Sequence, residues 1–102
     1  MAQYDVYFLE RAHGADVLAV HLQHDGISDL TTVITAPLKL KSRFKHDFGV
    51  VNPAVEINGT TYLIQMEQLA AIRQTRLKNK VGNVEVFDYE ITKAIDRLFS
   101  GI

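Results

Sequence analysis

Asn58-Gly59 stands between two runs that favour strands, AVEI before it and TTYLI after it. Asparagine and glycine both tolerate the positive φ angles that a two-residue type I′ turn requires, and the twist of that turn matches the strands it joins. The pair therefore predicts a β-hairpin. Most of the remaining chain reads the same way. AQYDVYFLE, with its tyrosines, valine and phenylalanine, predicts an opening strand of about seven residues. In DVLAVHLQH, Leu18, Val20 and Leu22 alternate with Ala19, His21 and Gln23. That alternation predicts a strand with one buried and one wet face. LTTVITAPL is β-branched up to Pro37, which is expected to end the strand or to put it at an edge. AAIRQTRLKNKV suits a last, partly exposed strand, and residues 39–52 read as a basic loop or a distorted strand.

The period then changes. Val84, Phe87, Ile91, Ala94, Ile95 and Leu98 recur at steps of three and four, which marks one face of a helix over residues 84–100. Asn83 is the expected N-cap, Glu85 and Asp88 suit the positive end of the helix dipole, and Ile95 in mid-stripe is expected to be buried. Strands followed by one helix predict an α+β chain, mainly β, in which an antiparallel sheet is closed by a C-terminal helix. The 102 residues suit a single domain over 1–102.

Composition removes several function classes. A net charge of −1 gives no overall basic field to draw the chain to nucleic acid or anionic lipid. The absence of cysteine excludes disulfides, thiolate metal sites and a cysteine nucleophile. No apolar run approaches the roughly 20 residues of a membrane helix, and the start lacks the basic head of a signal peptide. A cytoplasmic protein is the expectation.

The candidate chemical residues are sparse. His21 and His24, three apart on a strand, point to opposite faces and make a poor metal pair, which Asp25 does not repair. His13 and His46 sit in polar segments and read as solvated. Asp88 and Glu90, two apart on a helix, do not face each other as an acid–base pair would. No glycine-rich phosphate loop occurs, and Ser28, Ser42 and Ser100 lie in no nucleophile-elbow pattern. No catalytic residue, cofactor or metal is therefore expected. Lys39, Lys41, Arg43 and Lys45 would share one face of a strand as a positive stripe suited to phosphates, although charge of this kind also protects a solvated sheet edge. Ser100-Gly101-Ile102 at the C-terminus can be a simple helix stop, with Gly101 where a left-handed turn is cheap.

Over nearly its whole length the chain resembles the CcdB family, the toxins of bacterial toxin–antitoxin pairs. QYDVY looks like the first strand of that family. VHLQHDGI, with the β-branched run ending in Pro37-Leu38, is similar to the second and third, including Gln23 and Asp25. NPAVEI, the hairpin and QLAAI follow in family order, and EITKAIDRLFSGI resembles the closing helix, including Ile91, Ala94, Ile95, Phe99, Gly101 and Ile102. A small length difference falls in the basic segment before Pro53.

The resemblance implies a homodimer on the CcdB/MazF-like toxin fold: a five-stranded antiparallel sheet, a smaller sheet and a C-terminal helix. It implies a protein that binds the A subunit of DNA gyrase and traps the gyrase–DNA cleavage complex, an inhibitor of a topoisomerase and not itself a catalyst. Ser100, Gly101 and Ile102 fall where the family contacts gyrase, so the chain is expected to stop there because its end is the contacting element. A cognate antitoxin is the implied second partner, and with it the toxin represses its own operon, so DNA is reached only through that complex. One departure stands out. The best-known member has a tryptophan where this chain has Ser100, and a tryptophan is a typical interface anchor. Two other functions remain open, a MazF-like endoribonuclease using the Lys39 to Lys45 stripe to hold RNA, and a diverged binding domain without toxicity.

Overall fold

A computed structural model of the protein describes residues 1–10, 17–24 and 31–101. His13, Asp25, Ser28 and Ile102 lie outside the described residues. The strands are β1 (Asp5–Leu9), β2 (Val17–His21), β3 (Thr32–Leu40), β4 (Ala54–Ile57), β5 (Thr60–Ile64), β6 (Ala70–Arg73) and β7 (Leu77–Asn83), followed by the helix α1 (Asp88–Ser100). They form one antiparallel sheet in the order β4-β5-β3-β2-β1-β7, with β6 on β3. The class is the expected one, mainly β with a C-terminal helix. Five strands and a separate smaller sheet are replaced by seven strands in a continuous, curled sheet.

The hairpin forms where Asn58-Gly59 predicts it. Ile57 pairs with Thr60, and Asn58 and Gly59 have φ of 52° and 82°. Its ends curl toward β7, so that a side chain at Gly82 would meet Ile57 Cγ2 at 3.4 Å.

Pro37 neither ends β3 nor marks an edge. Ala19 lies opposite it on β2, so β3 is a central strand at this point. On the other side β3 pairs with β6 through Thr32 to Thr35 and with β5 through Leu38 to Leu40. Pro37 sits in the gap between the two partners, where its missing N–H costs no ladder bond, and its carbonyl accepts from Gln65 N–H at 2.8 Å.

Three other expectations are corrected by packing. AAIRQTRLKNKV is two strands: a 3-10 turn at Gln74–Arg76 breaks it, and the chain passes from β3 to the edge beside β1. β7 then carries two register shifts against β1, with Asn79 at φ 50°. β2 has no wet face, because Ala19 and His21 are as buried as Val20. It lies between β1 and β3 with one face in the main core and the other against Val33 and Leu77. Asn83 is not the cap of α1. A 3-10 turn at Glu85–Phe87 intervenes with Val84 at its N-cap position, and Asn83 Oδ1, one residue before that position, accepts Glu85 N–H at 2.8 Å.

The helical stripe is as expected in its periodicity. Val84, Ile91 and Ala94 are fully buried, while Phe87, Ile95 and Leu98 pack half-buried against the core. That core includes Val6, Val20, Leu38, Ile64 and Met66. Ile95, expected to be buried, is thus only partly covered.

Candidate functional site

α1 is anchored at its start and open at its end. Tyr4, itself at φ 70°, donates its N–H to His21 O at 2.6 Å and accepts from Val84 N–H at 2.9 Å. Its hydroxyl donates to Asp88 in the first helical turn. Burial, and then the bond to the Asp88 carboxylate, push the Tyr4 phenol above its ordinary value, so it stays a donor across the neutral range. The N-terminal residues, β2 and α1 are thus tied at one point, which fixes the direction in which the helix points.

The last turn has far less cover. Leu98 is half-buried, but Phe99 is 70% exposed, and Ser100 and Gly101 are exposed. Gly101 adopts φ 70° and its N–H donates to Arg97 O at 3.0 Å, a left-handed cap that ends the helix cleanly. Among the described residues, apart from its chain neighbour, nothing lies within 4 Å of where a Gly101 side chain would begin. Of the three residues expected to contact a target, the structure places Ser100 and Gly101 together on this open end, and Ile102 is outside the described residues.

Sequence reasoning missed what lies beside it. Leu22, Ile34, Leu69, Ile95 and Phe99, with the polar Gln23 and His24, line an open, largely apolar groove of about 400 Å³. Phe99 sits one step off the buried stripe and so forms the groove wall. That offset is legible in the heptad-like spacing, whereas the contributions of Leu22, Ile34 and Leu69 come from three separate segments.

The other candidates separate. His21 is fully buried on β2 and His24 is exposed beyond its end, so the two do not form a site. The basic segment is not a one-faced stripe. β3 continues to Leu40 and carries only Lys39 of the four; Lys41 and Arg43 fall on a 3-10 turn (Lys41–Arg43), and Lys45 lies beyond it. Asp88 and Glu90 are exposed on α1, with Asp88 engaged by Tyr4. Among the described residues no three His, Asp or Glu side chains gather to hold a metal, and no helix is long and apolar enough to cross a membrane.

A family model described as CcdB protein matches residues 3–101. Among curated protein sequences, none matches. Among solved structures, the chain is similar to an endoribonuclease in complex with its cognate antitoxin from Mycobacterial species. The TM-score is 0.78 at 13% identity, covering 94% of this chain and 91% of that one. At that identity the likeness is one of fold.

Proposed function

The chain belongs to the CcdB family, and from that premise we propose that it is the toxin of a toxin–antitoxin pair, binding the A subunit of DNA gyrase through the end of α1. The observation that carries this reading is the family match itself, which runs through the helix to Gly101. The geometry is compatible in a specific way. A partner pocket is best served by a protruding element whose ordering cost has already been met. α1 is pinned at its base by Tyr4, capped by Gly101, and exposes Phe99 and Ser100 beside an apolar groove.

A second copy covering that groove would bring two helix ends together, matching a target that is itself two-fold symmetric. Inhibition in this reading is trapping: the toxin holds gyrase while the DNA is cut and contributes no catalytic group. The antitoxin neutralises the toxin, and the pair reaches operator DNA through the antitoxin. Ser100 replaces the family tryptophan, so the aromatic contribution at the tip falls to Phe99.

The fold neighbour favours a second reading, an endoribonuclease, in which Lys41, Arg43 and Lys45 would hold RNA. One set of measurements separates the readings. Induced without antitoxin, the chain is expected to arrest bacterial growth and to produce gyrase-dependent DNA cleavage in vitro. Deleting residues 100–102 should abolish both while leaving the fold and antitoxin binding in place, since the last residues of a terminal helix hold few core contacts. Ser100→Trp should maintain or strengthen gyrase binding. A truncated protein that stays fully toxic, or cleavage of single-stranded RNA by the purified chain, overturns the gyrase reading. Normal growth on induction points to a diverged binding domain.

A further inference from the structure

The core face of the sheet extends beyond the part that is covered. Side chains two apart on a strand share a face, and on three strands burial falls off in the same direction. Val6, Val20 and Ile64, in the core shared with α1, are fully buried. Their same-face neighbours are not: Phe8 is 40% exposed, and Leu18 and Tyr62 are half-buried. Phe8 and Leu18 pair directly across β1 and β2. With Ile57 of the hairpin and Val81 of β7 they line an open cleft of about 240 Å³, bordered by Asn58 and Thr60 at the turn. This is the unclosed end of a curled sheet, and the mouths of such sheets are places where small ligands bind.

The charge at this mouth has one sign. Lys78 lies opposite Phe8 in the β1–β7 ladder, and directly opposed residues share a face. It is exposed and forms no ion pair among the described residues. The acids of the surrounding strands point elsewhere. Asp5 lies on the other face, where it meets the Tyr7 hydroxyl and Lys80. Glu56 alternates with buried Val55 and Ile57, so it faces outward. An apolar cleft thus stands next to a cation and has no carboxylate from these strands beside it.

We propose that this mouth binds a medium-chain carboxylate, its hydrocarbon tail between Phe8, Leu18, Ile57, Tyr62 and Val81 and its head group at Lys78. The tail covers apolar surface that the chain by itself leaves in water. The head group supplies the charge that Lys78 lacks. Size limits the tail: the cleft lies below the roughly 300–1,000 Å³ of sites for drug-sized ligands, so a short chain fits and a long one does not. An amine of the same length puts like charge beside Lys78, and an alcohol gains the tail contact alone.

The test is a titration of the full chain with octanoate, octanol and octylamine, followed by NMR of the side chains. The largest shifts are expected at Phe8, Leu18, Tyr62 and Val81, with octanoate binding tightest and octylamine weakest. Lys78→Glu should weaken octanoate by about tenfold, because attraction at an exposed site becomes repulsion, and should favour octylamine. Lys78 is exposed, so an unchanged melting temperature confirms the fold of that variant. Phe8→Ser should weaken all three ligands; if it does not fold, the parent's shifts and the Lys78→Glu response decide. Deleting residues 100–102 should leave octanoate binding unchanged, which keeps the result independent of the gyrase reading. Shifts absent from the mouth or confined to the groove beside Phe99 overturn the proposal. So does equal binding of octanoate and octylamine, or an octanoate affinity unmoved by Lys78→Glu.

Discussion

Asp5 shows how much one buried side chain can hold together. It is 3% exposed on β1, and its carboxylate accepts Ala2 N–H at 2.9 Å, Asn83 Nδ2 at 3.0 Å and the Tyr7 hydroxyl at 3.2 Å, with Lys80 Nζ at 3.1 Å. Burial pushes its pKa up, but the Asn83 and Ala2 bonds and the Lys80 charge outweigh it, and the group lies below the ordinary value of 3.8. A depressed folded pKa means stability that is fully present above the unfolded value and lost as pH falls through the folded one. Urea unfolding should therefore show native stability constant from pH 7 to about 5 and falling below about pH 4. In Asp5→Asn the acid limb should flatten; a limb as steep as in the parent would assign acid sensitivity to other carboxylates.

Asn52 is a second such residue, and Asn52→Ala strips partners from Phe48 N–H, Ile64 O and Glu67 at once. A loss of about 1–3 kcal/mol in chemical denaturation is expected, the range for unsatisfied buried polar groups. Gly101→Ala meets no steric obstacle but must hold φ 70°, so it should cost about 1 kcal/mol through backbone strain alone. Helical content near the C-terminus, followed by amide exchange, would report it.

At the scale of elements, α1 divides its apolar stripe between two tasks. Ile91 is completely buried, and Ile91→Ala should cost about 2–5 kcal/mol by leaving a cavity beneath the helix. Ile95, one turn on, is half-buried on the groove wall. Ile95→Ala should cost the isolated chain less than Ile91→Ala, because part of its surface already faces water. Equal losses for the two would mean that the groove is closed in solution. β3 makes the complementary point about sheets. A proline at a central strand is tolerated because the strand changes partners there, from β6 to β5, and no N–H is demanded at the gap.

For the whole molecule, the open groove beside Phe99 and the directed end of α1 lead to assembly. The chain is expected to sediment at micromolar concentration as a species of twice 11.5 kDa, with the two helix ends near the symmetry axis. Ile95→Ala and Phe99→Ser should shift it toward the monomer. A parent protein that sediments only at 11.5 kDa would leave the groove to a different partner. Gyrase binding would then rest on one helix end per complex.

The features legible in the residues alone are local. Asn58-Gly59 specifies its turn because only residues that accept positive φ form it. The spacing of Val84, Ile91 and Ala94 specifies a helical face because period 3.6 follows from the backbone alone. The ordered sum of such segments also sufficed for the family. Tertiary structure decided everything that depends on which segments become neighbours. It buried both faces of β2, excused Pro37, split one apparent strand into β6 and β7, put a 3-10 turn between Asn83 and α1, and broke the basic stripe. It also assembled the groove from Leu22, Ile34, Leu69, Ile95 and Phe99, residues up to 77 positions apart. Periodicity records how a residue faces its own element. The partner of that face is set by long-range pairing, which leaves no mark at any single position.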